Sequence, residues 1–168
     1  MVGCHLLRLL KAMGLATARL RWPNDLMIGS RKLGGLLIEQ SGPGMLIVGL
    51  GLNVRNKPWQ QDAALASVTT RLADLASDVP DLDDLAAQVL DAIASAHEDM
   101  LKHGLAAAAE EFNVHCEPVL VELTLTQGNP IEGSFIGLEP QGNLRLRDAT
   151  GHERVVEHQL VHRLRELV

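Results

Sequence analysis

The sequence predicts an α+β protein, in which a mixed sheet with helices is followed by a small all-β module. Up to about residue 115, strand-like apolar runs alternate with segments of helical periodicity. After Cys116 the pattern changes to short alternating runs separated by glycine-containing turns, which is typical of a small antiparallel barrel or sandwich. We therefore predict two domains, residues 1–115 and 116–168.

The first domain begins with a helix and continues as a run of strands. Apolar positions at helical spacing predict a helix over residues 2–15. A strand over 17–22 ends at Pro23, which lacks the N–H that a sheet ladder needs. Residues 26–40 predict a hairpin around a Gly-Ser turn. The run "LIVGLGLNV" within 45–54 is almost entirely apolar, so we expect a strand covered on both faces.

The rest of the first domain is predicted to be helical after a loop. Residues 55–67 have no periodicity and are predicted to form a loop, and 68–76 a short helix. The strongest helical pattern covers 81–103, with acidic residues in its first turn and Gly104 available as a left-handed cap. A second, alanine-rich helix is expected over 105–112.

Composition and charge exclude several classes of function. A net charge of −6, with two Trp, two Phe and no Tyr, makes a nucleic-acid partner unlikely. No run of apolar residues is long enough for a membrane span. Two distant cysteines without a Cys-x-x-Cys pattern favour a reducing, cytoplasmic location. The histidines are assigned to structure. His97 is expected at a core or boundary position on the apolar side of its helix, and His115 has no partners at metal-ligand spacing. The histidines of the β module are expected to face solvent, namely His152, His158 and His162.

Polar side chains and glycine pairs coincide on neighbouring predicted strands. Glycine inside a strand often marks a place where a ligand or another backbone comes close, so the two glycine pairs predict a shallow trough. Lys32 would place a mobile cation over this trough, an arrangement suited to phosphate or carboxylate. The alternative is an ordinary turn beside a solvated edge. The residues concerned are Asn24, Asp25, Lys32, Gly34, Gly35, Gly49, Gly51 and Asn53.

The segment "RWPNDLMIGSRKLGGLLIEQ", followed by "LIVGLGLNV", resembles the biotin protein ligase family. The family pattern is a basic residue, Trp-Pro-Asn-Asp, a turn, Lys-Leu-x-Gly-Ile/Leu-Leu-x-Glu, and Gly-x-Gly-x-Asn. Residues 117–164 are similar in length and turn pattern to the SH3-like barrel that follows the family's catalytic domain, so the resemblance covers essentially the whole chain. The matched positions are Arg21, Trp22, Pro23, Asn24, Asp25, Lys32, Leu33, Gly35, Leu37, Glu39, Gly49, Gly51 and Asn53.

The resemblance implies an ATP-dependent ligase that makes biotinyl-AMP and transfers biotin to a lysine of a carboxylase's biotin carrier domain. Biotin and ATP with Mg²⁺ would be substrates, and no tightly bound cofactor is implied. Lys32 matches the lysine that neutralises charge at the carboxylate and α-phosphate. The pocket positions matched are Gly35, Leu37, Gly49 and Gly51. Asn53 matches a residue near the adenine of the nucleotide. Asp25 would be a Mg²⁺ ligand or an orienting group, and Asn24 would fix the turn. Arg21 occupies a basic position and Trp22 packs beneath the site.

One family feature is not found in this sequence. Family members carry a Gly-Arg-Gly-Arg-type loop, before the helix predicted at 2–15, that closes over biotin and the adenylate. We therefore expect either a fragment of a ligase or a shortened paralogue, lacking the N-terminal part of the catalytic domain and impaired in adenylation. The alternative to a ligase is that such a chain acts only as a ligand-binding or interaction module. The interaction would use an exposed sheet edge and could form a homodimer. A nucleic-acid adaptor is disfavoured by the charge.

Overall fold

A computed structural model describes residues 1–167, which divide into two compact units, one formed by Val2–Ala96 and the other by the residues from His97 onward together with Met1. The chain mixes helices with two antiparallel sheets, as expected for an α+β protein. The predicted domain boundary near residue 115 differs from this division and stays a prediction.

The first unit is a four-stranded antiparallel sheet with a helix packed on one face. Its elements are α1 (Val2–Ala12), β1 (Ala18–Arg21), β2 (Asp25–Ile28), β3 (Arg31–Gln40) and β4 (Leu46–Leu52), with the sheet order β1-β2-β3-β4. Apolar side chains of α1 join those of the strands in one core, because helical spacing places them on a single stripe. The buried members include Leu6, Leu7, Leu10, Leu26, Leu33 and Leu36.

The prediction that the strand over 45–54 is covered on both faces is wrong. Among the described residues β4 pairs only with β3 and forms the edge of the sheet. Leu46 and Ile47 are 59% and 51% exposed. An all-apolar run is typical of a buried strand, but here the apolar residues belong to an edge strand whose outward face also contains glycines.

The segment between β4 and the next helix has no long element. It contains three short 3-10 turns, Pro58–Gln60, Ala63–Ala66 and Leu72–Asp74. The short helix predicted over 68–76 is therefore wrong except for the last of these turns. Thr69 instead runs parallel to Lys32 in an isolated bridge, where Lys32 N–H donates to Val68 O and Thr70 N–H donates to Lys32 O. Extended pairing suits this stretch because Val68, Thr69 and Thr70 are β-branched.

The two helices predicted on either side of Gly104 are confirmed: both lie within α2 (Leu82–Val114), and the backbone of Gly104 between them is not helical. Gly104 has φ 74° and ψ −173°, a conformation that glycine adopts without a steric penalty. In the first unit, Leu85, Val89 and Ala92 of α2 pack on the core around α1. His97 is exposed, so the expectation of a core or boundary position is wrong. The helix face that carries His97 is apolar in sequence but is not covered at this residue.

The second unit is the β module predicted from the glycine-containing turns. Its strands are β5 (Val119–Leu125), β6 (Ile131–Leu138), β7 (Leu144–Arg147), β8 (Glu153–Val156) and β9 (Val161–Glu166), in the antiparallel order β8-β7-β6-β5-β9. Within the described residues the outer strands β8 and β9 do not pair with each other. The five-strand module is thus present as an open sheet, and the predicted barrel is not closed by strand pairing. Its core includes Val121, Leu123, Phe135, Leu144 and Leu146.

The end of α2 is fastened to this sheet by a side-chain amide. Asn113 Nδ2 donates to Leu138 O at 2.8 Å, and Leu138 N–H donates to Asn113 Oδ1 at 2.7 Å. The amide therefore satisfies both backbone groups of Leu138, as a neighbouring strand would. Beside it, the rings of Phe112 and Phe135 meet edge to face, 6.1 Å between centroids. None of the helices in residues 1–167 combines the length and apolar character that crossing a membrane requires.

Candidate active site

A cavity of about 760 Å³ lies over the outer face of β3 and β4, within the first unit. The register pairs Gly35 with Gly51 and Leu37 with Gly49, so these four residues share one face of the sheet. The intervening pairs, such as Leu36 with Leu50, point to the opposite face and join the core. One side of the sheet therefore closes the core while the other forms the cavity floor.

Two of the floor glycines are not required by the packing of the chain itself. A Cβ at Gly51 would meet nothing nearer than Gly35 O at 3.9 Å, and one at Gly49 would make only ordinary contacts with Leu37. By contrast, a Cβ at Gly34 would come within 2.5 Å of Gly51 O, so a side chain is excluded there by the close approach of β3 and β4. Gly49 and Gly51 leave the floor open without any such structural need.

Lys32 places the cation of the cavity directly over this floor. Its Nζ would lie 3.2 Å from a Cβ at Gly35, and its side chain lines the cavity while remaining 43% exposed. The ammonium forms an ion pair with Asp25 Oδ1. Lys32 is thus held on the sheet side and open to the cavity, and it is the single cation among the described residues that line the cavity.

Asp25 is shared between two cations contributed by adjacent strands. Its other oxygen, Oδ2, accepts hydrogen bonds from Arg21 Nη2 at 2.5 Å and Nε at 3.1 Å. The register makes this possible, since Arg21 pairs with Asp25 across β1 and β2, and Asp25 pairs with Gly35 across β2 and β3. Because the Asp25 side chain is only 13% exposed, both ion pairs are partly shielded from water.

The surroundings of Asp25 fit an orienting group better than a metal ligand. Both carboxylate oxygens already bind cations, and a hard divalent ion prefers several oxygen ligands. Residues 1–167 contain no group of three His, Cys, Asp or Glu side chains placed to hold a metal. A role of Asp25 as a Mg²⁺ ligand stays a prediction.

Two asparagines fix the ends of the cavity. Asn24 donates to Leu36 O at 2.5 Å while Leu36 N–H donates to Asn24 O, which joins the turn before β2 to β3. Asn53 donates to Thr70 O at 3.1 Å and accepts from Asn56 Nδ2 at 3.0 Å. The side chain of Asn53 is therefore largely committed to holding the segment that follows β4.

Of the residues singled out from the sequence, eight line the cavity: Asn24, Lys32, Gly34, Gly35, Leu37, Gly49, Gly51 and Asn53. Arg21, Trp22 and Asp25 lie outside its lining, although Asp25 contacts Lys32. Asn56, Pro58 and Thr69 were missed, and they form the wall opposite the strands. No periodicity marks them, but the polar segment directly after the "GLGLN" strand end was a usable signal.

Comparison with known proteins finds relatives that are similar in sequence and in fold. No family model matches the chain. It is 36% identical over 75 residues, 45% of its length, to the biotin–[acetyl-CoA-carboxylase] ligase of Mycobacterium tuberculosis (strain H37Rv), of which the match covers 26%. It is 23% identical over 150 residues, 86% of its length, to the bifunctional ligase/repressor BirA of Bacillus subtilis (strain 168), of which the match covers 46%. The chain spans less than half the length of these curated relatives.

The fold is similar to that of the biotin protein ligase from Aquifex aeolicus. The TM-score is 0.81 with its apo structure, at 21% identity, over 99% of this chain and 73% of that one. It is 0.80 with the complex of the same ligase with biotin and ATP, at 22% identity, over 99% and 69%. These likenesses define the class of the fold, which is that of the biotin protein ligases. The sequence matches point in the same direction, since both curated relatives are described as ligases.

Proposed function

We propose that this chain carries the adenylation site of a biotin protein ligase, which activates biotin with ATP and passes it to a lysine of a carboxylase's biotin carrier domain. The observation that carries the proposal is the Lys32 ammonium lying over a glycine floor, held by Asp25 and open to the cavity. The structure of a related ligase in complex with biotin and ATP supports these two substrates.

The first step joins two anions, so it needs a cation between them. A carboxylate oxygen of biotin attacks the α-phosphorus of ATP, the bond to the bridging oxygen breaks, and pyrophosphate leaves with that electron pair. Negative charge collects on the α-phosphate oxygens in the transition state, where a fixed cation stabilises it most. Lys32 is that cation in our proposal. Mg²⁺ enters only as the ion that accompanies ATP.

The remaining residues position the substrates along the strands. Leu37, 57% exposed, offers an apolar surface beside Gly49 for the biotin ring and chain. Gly35 and Gly51 let the ligand lie against backbone, beneath Lys32. Asn53 and Asn56 mark the polar end, which we assign to the nucleotide. Asp25, fixed by Arg21, keeps the ammonium over the junction between the two ends.

The second step transfers the acyl group. The neutral amine of the carrier lysine attacks the acyl carbon of biotinyl-AMP, the mixed-anhydride bond breaks, and AMP leaves as the amide forms. A carrier domain is therefore the proposed protein partner. No side chain of the described cavity is assigned to the deprotonation of that amine.

Biotin-dependent exchange of pyrophosphate into ATP tests the adenylation step without a carrier. The exchange catalysed by the wild-type chain, even if low without the Gly-Arg-Gly-Arg-type loop, should fall by orders of magnitude in Lys32→Ala, because removing a preorganised charge contact costs about 100- to 1,000-fold. Arg147→Gln is a suitable control, because Arg147 pairs with Glu153 in the β module. Equal rates in wild type and Lys32→Ala would remove Lys32 from the mechanism, and no exchange by the wild type would refute adenylation by this chain.

A second candidate is a module that binds biotin or nucleotide without activating them. The observation in its favour is that Lys32 is the single cation in the described lining of the cavity, facing a substrate with several phosphate charges. The exposed apolar edge strand β4 also supports an interaction role, including a homodimer. Ligand binding measured by calorimetry, together with absent exchange, would favour this candidate over the ligase.

A further inference from the structure

The wall of the cavity opposite the strands is made by an irregular segment, residues 53–70. Asn53, Asn56, Pro58 and Thr69 contribute to it. The segment contains only short 3-10 turns, whose backbone hydrogen bonds join near neighbours and do not connect them to the strands. Backbone hydrogen bonds fix its ends, where Leu72 N–H donates to Asn53 O and Ala73 N–H donates to Val54 O. Between these ends, the position of the segment depends on side-chain contacts.

Arg71 makes four contacts from one guanidinium, two of which reach the segment. Nη1 donates to Arg55 O at 2.7 Å, and Nε and Nη2 both donate to Asp74 Oδ1, at 3.0 and 2.8 Å. The same group lies over the ring of Trp59, 5.7 Å from its centroid. The contacts reach back 16 residues along the chain to Arg55 and so close the segment into a loop.

Arg71 is well placed for this task and does not touch the cavity. Its side chain is 17% exposed, which limits the screening of its contacts by water. The hydrogen bond from Arg71 lowers the pKa of Asp74 below its ordinary value, so the carboxylate stays ionised. Arg71 is absent from the described lining, whereas its partner Trp59 directly follows the lining residue Pro58.

We propose that Arg71 is a positioning residue for the nucleotide end of the cavity, which holds the wall formed by Asn56 and Pro58 against the strands. This inference rests on the proposed function for the identity of the ligand, but the role of Arg71 in holding the wall in place is independent of that function. Asn53 and the Lys32–Thr69 bridge hold the two ends of the segment, and Arg71 holds its first part through Arg55 and Trp59.

Two variants separate the geometry of Arg71 from its charge. Arg71→Gln removes the charge, whereas Arg71→Lys keeps it but cannot bind Arg55 O and Asp74 together from one planar group. We expect both to raise the KM for ATP about tenfold in pyrophosphate exchange, as expected for the loss of about one positioning contact. The KM for biotin should stay within about twofold of the wild-type value, because the apolar end is formed by β3 and β4.

A second measurement needs no ligand. Hydrogen–deuterium exchange of the peptides covering 56–69 should be faster in both Arg71 variants than in wild type, because the loop opens locally when its tie is lost. Arg147→Gln, in the other unit, should change neither KM nor this exchange.

Faster exchange of 56–69 together with a selective rise in the KM for ATP supports the proposal. Unchanged exchange of 56–69, a parallel rise of both KM values, or a fall in kcat alone overturns it. A wild-type chain without pyrophosphate exchange refutes the proposed ligase function instead, and the hydrogen–deuterium comparison then still decides whether Arg71 holds the wall.

Discussion

Replacing Gly51 by alanine should make the protein more stable and a poorer binder of biotin. A Cβ added at Gly51 would have no neighbour nearer than 3.9 Å, and Gly51 has a backbone conformation open to any residue. Alanine in a strand interior is more stable than glycine by about 0.5–1 kcal/mol, because less backbone entropy is lost on folding. We therefore expect the free energy of unfolding of Gly51→Ala to rise by up to this amount.

The effect on the ligand has the opposite sign. The added methyl group projects from the cavity face shared by Gly35, Leu37 and Gly49. An extra methyl in a packed contact costs about 1–3 kcal/mol, which corresponds to about 5- to 150-fold in the dissociation constant for biotin. Gly34→Ala is the matched control, since its Cβ would lie 2.5 Å from Gly51 O. That variant should lose about 1–3 kcal/mol of stability through strain between β3 and β4.

Urea unfolding and calorimetric titration with biotin measure the two quantities separately. The reasoning is supported if Gly51→Ala unfolds at a higher urea concentration than wild type and binds biotin more weakly. Destabilisation of Gly51→Ala comparable to that of Gly34→Ala would show that the fold itself requires Gly51. Wild-type affinity in a stable Gly51→Ala would show that biotin does not lie on this part of the floor.

Two further substitutions test the fold around the site and in the β module. Thr70 is 1% exposed, and its hydroxyl has no hydrogen-bond partner within the described residues. Thr70→Val should therefore raise the free energy of unfolding, measured in urea, by about 1 kcal/mol. A lower free energy of unfolding in the variant would mean that the hydroxyl has a hydrogen-bond partner in the folded protein. Asn113→Ala leaves both backbone groups of Leu138 without their side-chain partner and should lower the free energy of unfolding by about 1–3 kcal/mol. An unchanged midpoint of thermal unfolding would contradict this prediction.

The strands and the cation of the site could be predicted because their signals are local. Gly29 and Ser30 fix the turn between β2 and β3, and the pairing that starts at this turn places Met27 opposite Lys32. Once the register is fixed, Asp25 and Lys32 must meet on one face. A short motif whose residues are joined by one hairpin can therefore be interpreted without tertiary information.

The exposure of β4 and the positions of the irregular segments could not be predicted, because both depend on which elements lie next to one another. The apolar run of β4 has the same composition in a central strand and at an edge, and only the pairing distinguishes them. Asn56 is held in the cavity wall by its hydrogen bond to the side chain of Asn53, and Arg71 donates a hydrogen bond to Arg55 O across the intervening loop. Such contacts leave no periodic trace in the sequence.

The shared carboxylate explains how one lysine can be both fixed and available. Without Asp25, the flexible side chain of Lys32 would lose more conformational entropy when it binds a ligand. With Asp25 alone, the carboxylate would cancel the charge that the reaction needs. Arg21 supplies a second cation to the same carboxylate, so the group of three keeps a net positive charge. As negative charge grows on the α-phosphate, the attraction of this preorganised cation grows with it, so its contribution is largest in the transition state.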